Sequence, residues 1–222
     1  MPPCFRPNQV EEKYTNELLG SIPSDQYSVL MKDRHGGDMF PVLLETLTEE
    51  DNTNFVVMGH HGRKGPKSSP AHVGSNTDLA LRGLHVPTII IKKFIPRGPR
   101  SFLLCVDDSD LSRRGLDILL RLVNPRDSIA CVHFTSRESD HQRSESLRRS
   151  YEEDLEMYGP LQSSFQLVEK PMGKPLTHAI ADFVNDSDCD FFAIAPRARH
   201  RLSSISEYVV NHVACSVILC KN

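Results

Sequence analysis

The residues of this 222-residue chain best suited to chemistry are three glycines and a short hydroxyl- and amide-bearing stretch. Met58 leads into Gly59, and Gly62 follows after two intervening residues. After eleven more residues (63–73) come Gly74, Ser75, Asn76 and Thr77. This pattern suits the binding of an anion of phosphate size. Glycine lets backbone N–H groups approach an oxyanion closely. A helix opening at Gly74-Ser75 would add its dipole, and the Asn and Thr side chains would add donors. Arg63 and Lys64 supply charge in the intervening loop. The competing reading is a loop that merely turns the chain.

Other chemistries fit less well. The P-loop pattern G-x-x-x-x-G-K-[ST] is not matched, because Gly65 is followed by Pro66. No G-x-S-x-G nucleophile elbow occurs. His60-His61 lacks Cys or carboxylate companions at ligand spacing, so it reads as a solvated loop pair and no metal site is expected. Arg197, Arg199, His200 and Arg201 form a basic run that reads as a solvated loop. Ser69-Pro70 has the form of a common phosphorylation pair. No catalytic residue is assigned.

The elements that must position the glycines come from an internal repeat. FVVMGHHG at 55–62 lines up with FFAIAPRA at 191–198, and GSNTDLALRGLHVPTIIIKK at 74–93 with SSISEYVVNHVACSVILCKN at 203–222. Each pair reads as strand, loop, helix, strand. Upstream, YSVLM at 27–31 matches FQLVE at 165–169 as a strand. Met39, Phe40, Leu43, Leu44 and Leu47 match Ala179, Ile180, Phe183 and Val184 as a helix stripe. Val10, Tyr14 and Leu18 match Leu147, Tyr151 and Leu155, again one helix face. Only the second copy has SFLLCVDD (101–108), a helix capped by Ser109 and reaching about Val123, and SIACVHF (128–134). The domains expected are an incomplete first copy over 1–95 and a complete second copy over 100–222. Alternating helices and doubly apolar strands imply an α/β, doubly wound, flavodoxin-like parallel sheet. Deleting the first two strands of one copy would open an edge on the strand at 55–58. The apolar runs TIII (88–91) and VILC (217–220) are edge-like, and such edges invite pairing.

Bulk properties narrow the partners. A net charge of −3 gives no general attraction to nucleic acid or membrane. No apolar run approaches the ~20 residues of a membrane helix. MPPCFRPNQV lacks the apolar stretch of a secretory signal. The six cysteines show no CxxC spacing and read as buried reduced thiols, which points to the cytoplasm.

The order of these motifs resembles the universal stress protein family, whose signature is G-x2-G-x9-G-[ST] between the last two strands. LLCVDDSDLSRRGLDIL resembles that family's opening strand and first helix, and VPTIIIKK its closing strand. The resemblance implies a Rossmann-like fold in tandem, a regulatory or stress-response role without catalytic machinery, and ATP with Mg²⁺ as the candidate cofactor. It adds Asp107, as a contact to the nucleoside, to the candidate binding residues. It also implies a homodimer, or inter-domain pairing, through strands 88–91 and 217–220. Alternatives within the resemblance are a weak ATP-hydrolysing module at 59–75 and a scaffold that acts by association alone. In the second copy Ala195, Ala198 and Ser203 replace the signature glycines, and Asp108 replaces the glycine that usually follows the acid. Glycines and acid therefore lie in different copies.

Overall fold

The structure is a computed structural model. It describes residues 39–49, 54–60, 73–93, 98–136, 141–196 and 203–221. The strand expected at 27–31, the helix around Tyr14, Gly62, His61, Ser69 and the basic run at 197–201 lie outside the described residues. The chain divides into compact units between Thr46 and Leu47. Helix α1 (Met39–Glu49) crosses that boundary. Within it, the Thr46 hydroxyl donates to the Val42 carbonyl at 2.8 Å.

The rest builds one sheet. In chain order come β1 (Val56–Gly59), α2 (Ser75–Gly83), β2 (Thr88–Ile91), β3 (Ser101–Cys105), α3 (Asp110–Leu120), β4 (Ser128–Thr135), α4 (His141–Tyr158), β5 (Gln162–Glu169), α5 (Leu176–Asp186), β6 (Phe191–Ile194), α6 (Ser204–His212) and β7 (Ser216–Leu219). The seven strands lie in the order β1-β2-β7-β6-β3-β4-β5. From β7 to β5 every pairing is parallel, giving the flavodoxin-like order expected of a complete copy. β1 and β2 are also parallel, in register Val57 with Ile89. The seam between the copies is antiparallel: Thr88 faces Leu219, Ile89 faces Ile218 and Ile90 faces Val217. Both hydrogen-bonding edges of β2 and of β7 are thus occupied within the chain.

Two apolar layers sandwich the sheet, as strands without a polar face require. One packs Leu81 of α2, Ile180 and Val184 of α5, and Val209 and Val210 of α6 against Ile90, Phe192 and Val217. The other packs Leu116 and Leu119 of α3 and the α4 stripe Leu147, Tyr151 and Leu155 against Phe102, Leu104 and Ile218. That stripe is spaced by four, so it falls on one face of a 3.6-residue helix. Phe102 and Phe191 stack across β3 and β6 with centroids 5.0 Å apart. Among the described residues β1 pairs only with β2, and Val57 is 61 % exposed. No helix among the described residues is long and apolar enough to cross a membrane.

Candidate functional site: two sheet edges facing opposite ways

In the first copy, β1 carries Met58 and Gly59 to its C-terminal end. The His60 N–H donates to the Ile91 carbonyl at 2.9 Å, extending the β1–β2 ladder by one residue. His60 is only 8 % exposed. The solvated histidine pair expected from the sequence is therefore corrected at this position: the strand pairing carries the residue inward. Across the loop, Gly74 N–H donates to the His60 carbonyl at 2.8 Å and the Thr77 hydroxyl to the Gly59 carbonyl at 2.9 Å. These contacts hold the start of α2 against the end of β1. Gly74, in extended conformation, is the N-cap and offers no side-chain acceptor to the helix. Ser75, Asn76 and Thr77 form the first turn, whose N–H groups have no intrahelical partner.

The second copy solves the same junction differently. The Ser203 hydroxyl, at the position equivalent to Gly74, accepts from Ser206 N–H at 3.1 Å, so α6 carries its own cap. Ala195, in place of Gly59, lies where α3 passes closely: a Cβ built on Gly115 would stand 3.4 Å from the Ala195 methyl and 3.6 Å from the Cys220 Cβ. Asp107 follows β3. Its N–H donates to the Ser112 hydroxyl at 3.0 Å, and its carboxylate accepts from the Ser109 hydroxyl. Ser109 in turn accepts from Ser112 N–H at 3.2 Å and caps α3. The buried Tyr151 hydroxyl completes the network by donating to Ser112 at 3.0 Å. Burial pushes the Tyr151 phenol up to about 12, so it stays a donor at physiological pH. Asp108 faces outward to an ion pair with Arg143 at 2.7 Å.

The antiparallel seam decides how these residues relate. β3, β6 and β7 point one way, and β1 and β2 the other. The end of β1, with Met58, Gly59, Gly74, Ser75, Asn76 and Thr77, therefore lies at the sheet edge opposite the end of β3 with Asp107. The two parts of the candidate site are not brought together. Among the described residues no group of His, Cys, Asp or Glu is arranged to hold a metal ion.

No protein-family model and no curated protein sequence matches the chain. Solved structures do. A universal stress protein from Archaeoglobus fulgidus DSM 4304 superposes over 99 % of this chain and 81 % of its own, with a TM-score of 0.63 at 19 % identity. A protein of Pseudomonas aeruginosa UCBPP-PA14 described as belonging to the same family covers 94 % of this chain and 77 % of its own, with a TM-score of 0.61 at 13 % identity. The fold is that of the universal stress proteins.

Sequence reasoning missed a pair of lysines that fasten the copies together. Lys92, just after β2, donates from Nζ to the carbonyl of Val213, the C-cap of α6, at 2.6 Å. Lys221, just after β7, donates to the carbonyl of Leu84, the C-cap of α2, at 3.0 Å, and also to that of Leu81. Lys92 and Lys221 are equivalent in the repeat, as are Leu84 and Val213, so each copy caps the other's last helix. An ammonium at a helix C-terminus meets the negative end of the dipole. Burial nevertheless lowers both lysines from 10.5 to about 8. Their repeat positions were visible in KK and KN, but the carbonyls they reach lie 121 and 137 residues away. An ion pair from Arg82 to Glu207 at 2.8 Å spans α2 and α6.

Proposed function

We propose that the chain is a universal-stress-type regulatory protein that acts by binding, without catalytic machinery of its own. Any nucleotide it takes is held at the first copy's glycine edge. The observation carrying this reading is the contrast between equivalent helix starts. α6 is closed by Ser203, and Asp107 is engaged with Ser109, whereas α2 begins at Gly74 with no side-chain cap. An uncapped helix start beside glycines is suited to a phosphate. A closed one whose acid is tied into a helix cap is suited to structure. ATP with Mg²⁺ is the ligand proposed, because the alternating strand-loop-helix supplies backbone donors for phosphates and the metal would neutralise the rest of their charge. Association with other proteins would use surface outside β2 and β7, whose edges are filled. The cytoplasm is the proposed compartment, since every cysteine among the described residues is a free thiol.

Isothermal titration of the whole chain with ATP and Mg²⁺, beside Gly62→Asp, tests the reading. The expected result is heat from the wild type that the variant loses, because aspartate adds both bulk and negative charge. No heat from the wild type would sink the nucleotide role. Equal heat from both would place the site away from the glycines.

A further inference from the structure

We propose that Cys189 and Cys215 are a peroxide-sensitive dithiol that oxidises to a disulfide, with Cys189 as the attacking thiol and Cys215 as the resolving one. The pair lies away from the edge that carries Asp107. It sits at the N-terminal ends of β6 and β7, the sheet edge at which β1 and β2 end.

The geometry is already close. The two sulfurs are 3.6 Å apart, and the residues are 5 % and 4 % exposed. Cys215 immediately precedes β7 and Cys189 lies two residues before β6, one residue off the register in which Phe191 faces Ser216. A strand spacing of about 4.8 Å with an offset of one residue, about 3.3 Å, puts such Cα atoms roughly 6 Å apart, within the roughly 4.4–6.8 Å that a disulfide allows. Bonding requires the sulfurs to close to about 2.05 Å, a side-chain torsion rather than a backbone rearrangement.

The charge around the pair favours the reactive form. β2 ends at this same edge, because it runs antiparallel to β7. It delivers two cations, and the Lys93 ammonium lies 3.5 Å from the Cys189 carbonyl. A thiolate on Cys189 is held below the ordinary thiol range, first by the neighbouring Cys215 thiol and further by Lys93. Cys215 is pushed up by that same neighbour and by burial. At Cys105, Cys131 and Cys220 burial dominates and pushes each to about 12, even though Arg113 acts on Cys131. Thiolate character governs reactivity, so the chain carries its own unreactive controls. Access comes from a cleft of about 650 Å³ whose walls include Cys189, Ser101, Phe102 and Phe183.

The reaction balances with a hydroperoxide as oxidant. The Cys189 thiolate attacks a peroxide oxygen, an S–O bond forms and the O–O bond breaks. The leaving oxyanion takes up the proton that Cys189 released. Cys189 is now a sulfenic acid, having given up the electron pair that reduced the peroxide. Cys215 then loses its proton and attacks the Cys189 sulfur. The S–S bond forms, the S–O bond breaks, and the departing hydroxide leaves as water with the Cys215 proton. With Cys189 no longer anionic, the group that held Cys215 protonated is gone, and Lys92 and Lys93 favour its thiolate.

The test uses the reduced full chain, treated with hydrogen peroxide, alkylated and mapped by peptide mass spectrometry. A Cys189–Cys215 cross-linked peptide is expected, with Cys105, Cys131 and Cys220 still alkylated. In Cys215→Ser, dimedone should label Cys189. Lys93→Met leaves every cysteine in place and should slow cross-linking by roughly threefold or more through a smaller thiolate fraction. Uniform oxidation of all cysteines would overturn the proposal. So would a cross-link to Cys4, or no cross-link in wild-type protein with native circular dichroism.

Discussion

At the scale of residues, the reciprocal lysines show how much a side chain's meaning depends on partners remote in sequence. Folding weakens the hold of Lys221 on its proton, from 10.5 to about 8. The unfolded chain therefore binds more protons across that window, and Lys221 favours the folded state increasingly as pH rises through it. Below about 8 the ammonium is charged in both states and its desolvation is a full cost. Lys221→Met removes this dependence. Urea denaturation should show the wild type gaining on the variant by roughly 1–3 kcal/mol between about pH 7.5 and 10.5. A constant difference across that range would refute the assignment. The comparison with the variant is needed because Cys105, Cys131 and Cys220, pushed to about 12, oppose the lysine by keeping protons in the folded state. The sequence alone made Ser109 legible as a cap, because capping is local. It misled on His60, whose neighbours in sequence are polar but whose strand partner draws it inside.

At the scale of elements, apolar periodicity carried most of the information. Leu147, Tyr151 and Leu155 are 6 %, 0 % and 3 % exposed on α4, as one helix face requires. α6 buries more than a single stripe of side chains. Val209 and Val213 are buried, but so is Val210, while His212 is exposed and stacks on Tyr208 at 3.8 Å. α6 packs against the sheet and also beside α5 and α2, so its buried arc is wider than one stripe. The helix after Ser109 ends at Leu120 instead of Val123, where the chain turns toward Asp127. Asp127 accepts from the N–H groups of Asn124 and Arg100 at 2.7 and 2.8 Å. On the same helix, Gly115 faces Ala195 and Cys220 at ordinary contact distance for one added methyl and no more. Gly115→Ala should raise stability by up to about 1 kcal/mol, the difference in helix propensity. Gly115→Leu should lower it through overpacking. Thermal melts of both decide: a destabilised alanine variant would show the contact to be tighter than the geometry implies.

At the scale of the whole molecule, the alternation of strands and helices made the α/β sheet readable, while the direction of its seam was not. Nothing local in TIII or VILC states that they run antiparallel to one another. That direction places the glycines and Asp107 at opposite edges, so the distribution of family residues between copies cannot be mended by packing. At β1, Val57 is exposed beside the well-buried Ile89.

The β2–β7 seam has a kinetic consequence. Its two strands belong to one chain, and once β3 to β7 have assembled, only residues 92–100 tether the end of β2 to that unit, at the start of β3. A short tether gives an effective concentration on the order of millimolar, however dilute the solution. Seam formation should therefore be first order. In refolding followed by the formation of the strand ladder, the rate should stay constant while protein concentration is varied a hundredfold, from about 0.1 to 10 μM. A rate that climbed with concentration would mean that strands from separate chains meet first, and that the seam is exchanged between molecules before it closes within one.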